Sequence, residues 1–161
     1  METSPVRRLP LALSIAAVVL VLDQATKFLA ERTLTGHAPV PVLGDFIRLR
    51  LLYNPGAAFS MGTGATWVFT IIAAVAVVVL LRYVTRPQPK GMAISLALLL
   101  GGATTHLGDR LFRAPGFARG HVVDFIDYNG WFVGNVADIA LTCGAVLLLI
   151  FAARQPAAAG E

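Results

Sequence analysis

Charge is scarce in this sequence. Asp, Glu, Lys and Arg together make up 14% of its 161 residues, whereas a soluble domain is about one quarter charged. Too few polar residues are present to give a fold of this size a polar skin, which excludes an ordinary soluble globular domain. Cysteine is nearly absent as well. Cys143 stands alone, so neither an internal disulfide nor a thiolate metal site can form. Because it lies in an apolar run, it reads as a buried, inert thiol. His37, His106 and His121 are too widely spaced to make a metal-binding pair on one helix, and no Gly-rich phosphate loop occurs. Ser60 and Ser95 lack a nearby base in any recognised arrangement, so serine catalysis has no support. The net charge of +4 comes from basic residues scattered singly or in pairs. No basic patch is interleaved with aromatics, which argues against a nucleic-acid partner.

Apolar length is what the sequence has in abundance. Hydrophobic residues make up 57% of the chain and the mean hydropathy is +0.73. Four apolar segments stand out, at about residues 9–30, 65–84, 91–111 and 135–153. Each meets or approaches the roughly 20 residues that a helix needs to cross a bilayer. The expected fold is an all-α polytopic membrane protein with four transmembrane helices, read as a single membrane-embedded domain over residues 1–161. Arg7 and Arg8 before an apolar run resemble a signal peptide, but no small-residue cleavage site follows and the helix continues past Asp23 to Lys27. The segment is expected to stay attached.

The connections set the orientation. Arg82, Arg86 and Lys90 crowd the short turn between the second and third spans, and Arg7 and Arg8 precede the first. Four spans put these two regions on one side, which the excess of basic residues assigns to the cytoplasm. Both termini are then cytoplasmic, and both long connections are extracytoplasmic. In the first of these, Val40–Val42 and Ile47–Leu51 alternate with the period of a half-buried strand around a Gly44-Asp45 turn. A small extracytoplasmic β-sheet is expected between helices 1 and 2.

Seven of the nine acids, Asp23, Glu31, Asp45, Asp109, Asp124, Asp127 and Asp138, fall on or near that outer side. An acid within a span is expensive unless it is paired or hydrated. Asp23 and Lys27 lie at i, i+4, a spacing that suits a structural ion pair as well as a functional site. His106, Asp109 and Arg110 share a helix face at the end of the third span, where they could also be a plain polar cap. Asn135 and Asp138 share a face of the fourth span. Asp124 sits in the apolar strand-like run Val122-Val123-Asp124-Phe125, and Asn54-Pro55-Gly56 reads in isolation as a turn. Together these groups occupy one depth on one side, a convergent polar set beneath an apolar rim. Carboxylates are the chemistry that remains. Two that share a site cannot both ionise. One then takes a proton from water while the other protonates a scissile carbonyl, as in aspartic proteases.

At these residues the sequence resembles the lipoprotein signal peptidase (signal peptidase II) family. The matching motifs are Asp23-Gln24-x-x-Lys27, Asn54-x-Gly56-x-Ala58-Phe59, Gly101-Gly102-Ala103 followed by Asp109-Arg110, Val122-Val123-Asp124-Phe125 and Asn135-x-Ala137-Asp138. They run in the family's order and cover residues 23–138. The resemblance implies an aspartic endopeptidase of the bacterial inner membrane with Asp124 and Asp138 as its catalytic pair. Asp23, Lys27, Asn54, Gly56, His106, Asp109, Arg110 and Asn135 would bind substrate or support the pair. The implied partners are membrane lipids and prolipoproteins whose lipobox cysteine already carries diacylglycerol, cut just before that cysteine. No metal or cofactor is implied. The chain departs from the family pattern at Thr105-His106, where Gly-Asn is usual, and at Gly134, where an aromatic is usual. These departures leave open a divergent or inactive paralogue with another substrate. A small four-span carrier is the competing class, although carriers place their essential acid near the bilayer midplane. Reporter fusions after Arg86 should read cytoplasmic, and those after Gly62 or Arg119 extracytoplasmic. A cytoplasmic signal at Arg119 would contradict the assigned orientation.

Overall fold

The computed structural model describes residues 6–56 and 66–154. Four helices long and apolar enough to span a membrane are present: α1 (Leu9–Leu34), α2 (Thr66–Val84), α3 (Lys90–Phe112) and α4 (Val136–Ala153). Their bounds agree with the apolar segments to within a few residues at all ends but one. Helix α1 continues four residues past Ala30 to Leu34, so Asp23 lies roughly 16 Å from its C-terminal end at the helical rise. Local chemistry accounts for several ends. Pro10 sits in the first turn of α1, where its missing N–H is no loss. Pro89 precedes α3, and Asn135 caps α4.

Helix α3 is the central post. Half of its spanning window is buried, against at most 17% in the others. The small-residue run Gly101-Gly102-Ala103 explains how it packs on two sides. A Cβ at position 101 would lie 2.7 Å from Val19 Cβ of α1, and one at 102 would lie 2.6 Å from Leu141 Cγ of α4. Glycine here allows the close backbone approach on which helix association within a bilayer depends. At one end of the bundle Ala12, Val84, Leu96, Ala97 and Leu100 form an apolar core. At that same end residue Val6 pairs with Gln88, which brings the N-terminal segment alongside the short turn.

The opposite end carries a four-stranded antiparallel sheet in the order β1 (Val40–Leu43), β2 (Ile47–Asn54), β3 (Val122–Tyr128), β4 (Phe132–Gly134). The hairpin expected between α1 and α2 is present, with Gly44 at positive φ in its turn. The second long connection supplies the other half of the sheet, an addition the alternation in the first connection could not reveal. Leu52 pairs with Asp124 and Asn54 with Val122, a register that sets the end of β2 beside the acid on β3. Phe125 joins Ala30 and Leu34 in a second core that docks the sheet on the C-terminal end of α1. Cys143 departs from expectation: it is exposed on α4. An apolar run in a spanning helix faces lipid as readily as protein, so composition around a cysteine does not imply burial in the chain.

Beneath the sheet a buried ionic cluster ties the elements together. Lys27 Nζ lies 2.6 Å from both Asp23 Oδ2 and Asp109 Oδ2, and its side chain is fully buried. Asp109 Oδ1 also accepts from Gln24 Nε2 (2.9 Å) and Arg113 Nε (2.7 Å). Asp23 Oδ1 accepts from the backbone N–H of Ala137 at 2.9 Å, in the first turn of α4, where free N–H groups and the helix dipole favour an anion. Replacing Lys27 with the similarly long Met leaves the buried Asp23 without its cation and Asp109 with Arg113 alone. Removing one partner of a buried ion pair costs about 3–5 kcal/mol. Lys27→Met should therefore melt well below wild type in detergent, and an unchanged melting temperature would show that the cluster is not structural.

Candidate active site

Two acids from different elements approach one another through a shared asparagine. Asn135 is the N-cap of α4. Its Oδ1 accepts from the backbone N–H of Asp138 (3.1 Å), and Asp138 Oδ2 accepts from the backbone N–H of Asn135 (2.9 Å). This reciprocal capping box satisfies two otherwise orphan donors and fixes the Asp138 carboxylate at the helix mouth. The amide's other end faces β3: Asn135 Nδ2 donates to Asp124 Oδ1 at 2.7 Å and to the carbonyl of Val123 at 3.3 Å. Asn54 Nδ2, at the end of β2, donates to the second oxygen of Asp124 at 3.0 Å. Asn54 Oδ1 accepts from Gly56 N at 3.0 Å, which fixes the orientation of that amide too. Both asparagine amides are thus set by their own backbone contacts, and both aim donors at Asp124.

Arg110 fixes the segment that carries Asn54. Its Nη2 donates to the Gly56 carbonyl at 2.5 Å, and its guanidinium lies 5.4 Å from the Phe69 ring of α2. His106, one turn earlier on α3, points elsewhere. Its Nε2 lies 3.4 Å from Asn135 Oδ1 and 3.5 Å from Asp138 Oδ1. Asn54, Gly56, His106, Arg110, Asp124 and Asp138 all border a cavity of about 370 Å³. Its remaining wall is apolar, built largely from Phe69, Ile72, Ala73 and Ala76 of α2 with Leu141 and Phe132. Asp23, Lys27, Asp109 and Asn135 stand behind this lining and hold its parts. Ala58 and Phe59 of the Asn54 motif lie outside the described residues.

The i, i+3, i+4 spacing put His106, Asp109 and Arg110 on one face, yet each finds a different partner set. Gln24 and Arg113 escaped notice as site residues. Arg113 stands four residues after Asp109 and also pairs with Glu31 at 2.8 Å, so i, i+4 charge pairing could have found it. Gln24 lay within a quoted motif, but nothing in its spacing announced a contact with Asp109. Phe132 had no sequence signal.

The setting of Asp124 changes its acidity. Burial pushes the carboxyl up, to about 7, because a low-polarity surround disfavours its charged form. The donor on Asn54 opposes this, the charge of Asp138 adds to the rise, and the donor on Asn135 opposes it again. A carboxyl that holds its proton near neutrality beside a second carboxyl can give that proton to a reacting oxygen. Among the described residues no cluster of His, Cys, Asp or Glu has the makings of a metal site. Carbon-13 NMR of labelled aspartate carboxyls should reveal one titration near pH 7 that vanishes in Asp124→Asn. In Asn54→Ala, which loses a donor to the charged form, it should move to higher pH. A wild-type spectrum with no aspartate titrating above about pH 5 would contradict this account.

Known proteins resemble the chain in sequence and in fold. The family described as "Signal peptidase (SPase) II" matches residues 15–154. A lipoprotein signal peptidase of Mycobacterium avium (strain 104) is 49% identical over 149 residues, covering 92% of this chain and 82% of that protein. A lipoprotein signal peptidase of Mycolicibacterium smegmatis (strain ATCC 700084 / mc(2)155) is 50% identical over 145 residues, covering 90% of this chain and 62% of that longer protein. A solved structure of a bacterial membrane enzyme superposes with a TM-score of 0.83 at 27% identity, covering 99% of this chain and 97% of that one.

Proposed function

The chain belongs to the signal peptidase II family, and from that premise we propose that it removes signal peptides from prolipoproteins by aspartyl proteolysis, with Asp124 and Asp138 as its catalytic pair. It is a multi-pass membrane protease; the aspartic mechanism and the roles of individual residues are our own reading. The observation that carries this reading is the Asn135 link. One side chain donates to Asp124 while its own backbone N–H donates to Asp138, and both carboxyls border the same cavity.

The chemistry follows from two carboxyls that hold one proton between them. The ionised member takes a proton from a water molecule, whose oxygen adds to the scissile carbonyl carbon. The protonated member gives its proton to the carbonyl oxygen. When the tetrahedral adduct collapses, the C–N bond breaks and the proton first taken from water passes to the leaving amine. The adduct returns a hydroxyl proton to the dyad, which ends as it began. Asn54 and Asn135 hold Asp124 while Arg110 holds the Asn54 segment, so the reacting groups need little rearrangement.

The shape of the cavity supports a lipid-bearing substrate. Polar groups gather at one end, while the α2 wall offers an apolar surface to an acyl chain or to the apolar core of a signal helix. The proposed substrate carries diacylglycerol on its lipobox cysteine, is surrounded by membrane lipid, and is cut just before that cysteine. The sheet and both acids share the end of the bundle opposite Arg7, Arg8, Arg82 and Arg86. Positive residues favour the cytoplasm, so we assign both termini to the cytoplasmic side and the site to the extracytoplasmic face of the inner membrane. Purified protein in detergent should cleave a diacylglyceryl-modified prolipoprotein. Asp124→Asn and Asp138→Asn should each lower turnover by about 10³-fold or more, and the double variant should lose little beyond either single one. Substantial turnover in a folded single variant would remove that residue from the pair.

A further inference from the structure

The geometry points to His106 as a positioning residue that donates its Nε2–H toward Asp138, keeps Asp138 ionised, and so leaves the dyad's single proton on Asp124. This deepens the dyad reading above and rests on it.

The tautomer follows from the neighbours. Asn135 Oδ1 must be the amide's oxygen, because it accepts from the N–H of Asp138 while Nδ2 donates to Asp124. The two atoms that face His106 Nε2, at 3.4 and 3.5 Å, are this amide oxygen and Asp138 Oδ1. A bare ring nitrogen would set its lone pair against the amide oxygen and, when Asp138 is ionised, against the carboxylate too. With a proton on Nε2 the ring instead donates to the amide oxygen, and the positive end of that N–H lies within ion-pair distance of Asp138 Oδ1. That donor is present whether or not Nδ1 also carries a proton. A donor aimed at the charged form of a carboxyl favours that form.

Charged groups lie around His106 on several elements. Lys27 and Asp23 belong to α1 and Asp138 to α4. On its own helix stand Asp109 and Arg110, and from β3 Asp124 borders the same cavity. Lys27 and Asp23 are paired with each other at 2.6 Å, whereas the Asp138 carboxylate lies within ion-pair distance of the ring. The other oxygen of Asp138 is equally confined. It accepts from Asn135 N at 2.9 Å, and a Cβ on Gly134 would come within 2.9 Å of it. Two of the three positions at which the sequence departs from the resembled pattern, His106 and Gly134, therefore border the two oxygens of one carboxylate. Asp124 is the complementary case, since burial there already favours the protonated form. In this arrangement Asp138 takes the proton from water and Asp124 protonates the carbonyl oxygen.

The test is the pH–rate profile of cleavage of a lipidated prolipoprotein. Wild type is compared with His106→Leu and His106→Ala, which lack a donor and differ in size, and with His106→Asn, which retains one. Without the donor Asp138 protonates more readily, so in the Leu and Ala variants the acid limb should move to higher pH by about one unit. That is the scale of one polar contact with a charged group. Their kcat should fall more than their KM changes, and His106→Asn should keep its acid limb near that of wild type. Donor-free variants that fold, as judged by melting temperature, yet superimpose on the wild-type profile would overturn the proposal. So would an acid limb in His106→Asn that moves as far as in His106→Leu. If instead Asp124→Asn or Asp138→Asn still cleaves, the dyad reading itself has failed, an outcome distinct from a dead dyad with an unmoved profile.

Discussion

The contact on which this structure depends is the one between Lys27 and its two carboxylates. A fully buried ammonium between Asp23 and Asp109 is a weak source of net stability, because desolvating the charges offsets most of their attraction. Its value lies in what it fixes. Asp23 belongs to α1, Asp109 to α3, and the remaining oxygen of Asp23 receives the Ala137 N–H of α4. Arg113 brings a second cation to Asp109, so these four charges sum to zero. Three helices that would otherwise slide on apolar surfaces are held at one register. In a bilayer, where apolar packing between helices has no water-driven advantage over lipid, polar contacts of this kind are well suited to fixing register.

From that register the site follows in a short chain of contacts. Asp23 pins the first turn of α4, and Asn135 caps the same turn. The capping amide then reaches β3 and holds Asp124, while the box sets Asp138. The sheet contributes from its other side, since the pairing of β2 with β3 brings Asn54 to Asp124. Asp109 is thereby separated from the proposed chemistry although it is as acidic in sequence as the pair. Its oxygens are taken up by Lys27, Gln24 and Arg113, whereas Asp124 and Asp138 are held by amide and backbone donors and border the cavity.

The helices were legible because their signal is long: an apolar run of some 20 residues has few other meanings. The β1–β2 hairpin was legible from alternation and a Gly-Asp turn. The partnership of β2 with β3 was not, because residues 54 and 122 are joined by no local pattern, only by the packing of the helices between them. Convergence of the polar groups could be argued from shared depth, but their division into a lining and a support could not. A face defined by i, i+3 and i+4 spans a wide arc, and His106, Asp109 and Arg110 use it to reach three different neighbourhoods. Asn135 was read as a face-mate of Asp138, whereas it is the N-cap. The Asn-x-x-Asp spacing carried that signal in a variant of the capping box with Asp at its third position. The choice of Asp124 and Asp138 among seven acids rests on resemblance, since nothing local distinguishes a carboxyl that borders a cavity from one held in an ion pair.

Of the three departures from the resembled pattern, His106 and Gly134 both lie against the carboxylate of Asp138. The account as a whole stands on the claim that the two carboxyls act together on one tetrahedral centre. A structure of the protein bound to a lipopeptide whose scissile amide is replaced by a secondary alcohol would test this most directly, because such a group resembles the adduct. The hydroxyl should lie within about 3.2 Å of carboxyl oxygens of both Asp124 and Asp138, with the apolar chain along the α2 wall. A hydroxyl seated out of reach of either carboxyl, with the peptide otherwise bound in the cavity, would contradict the account.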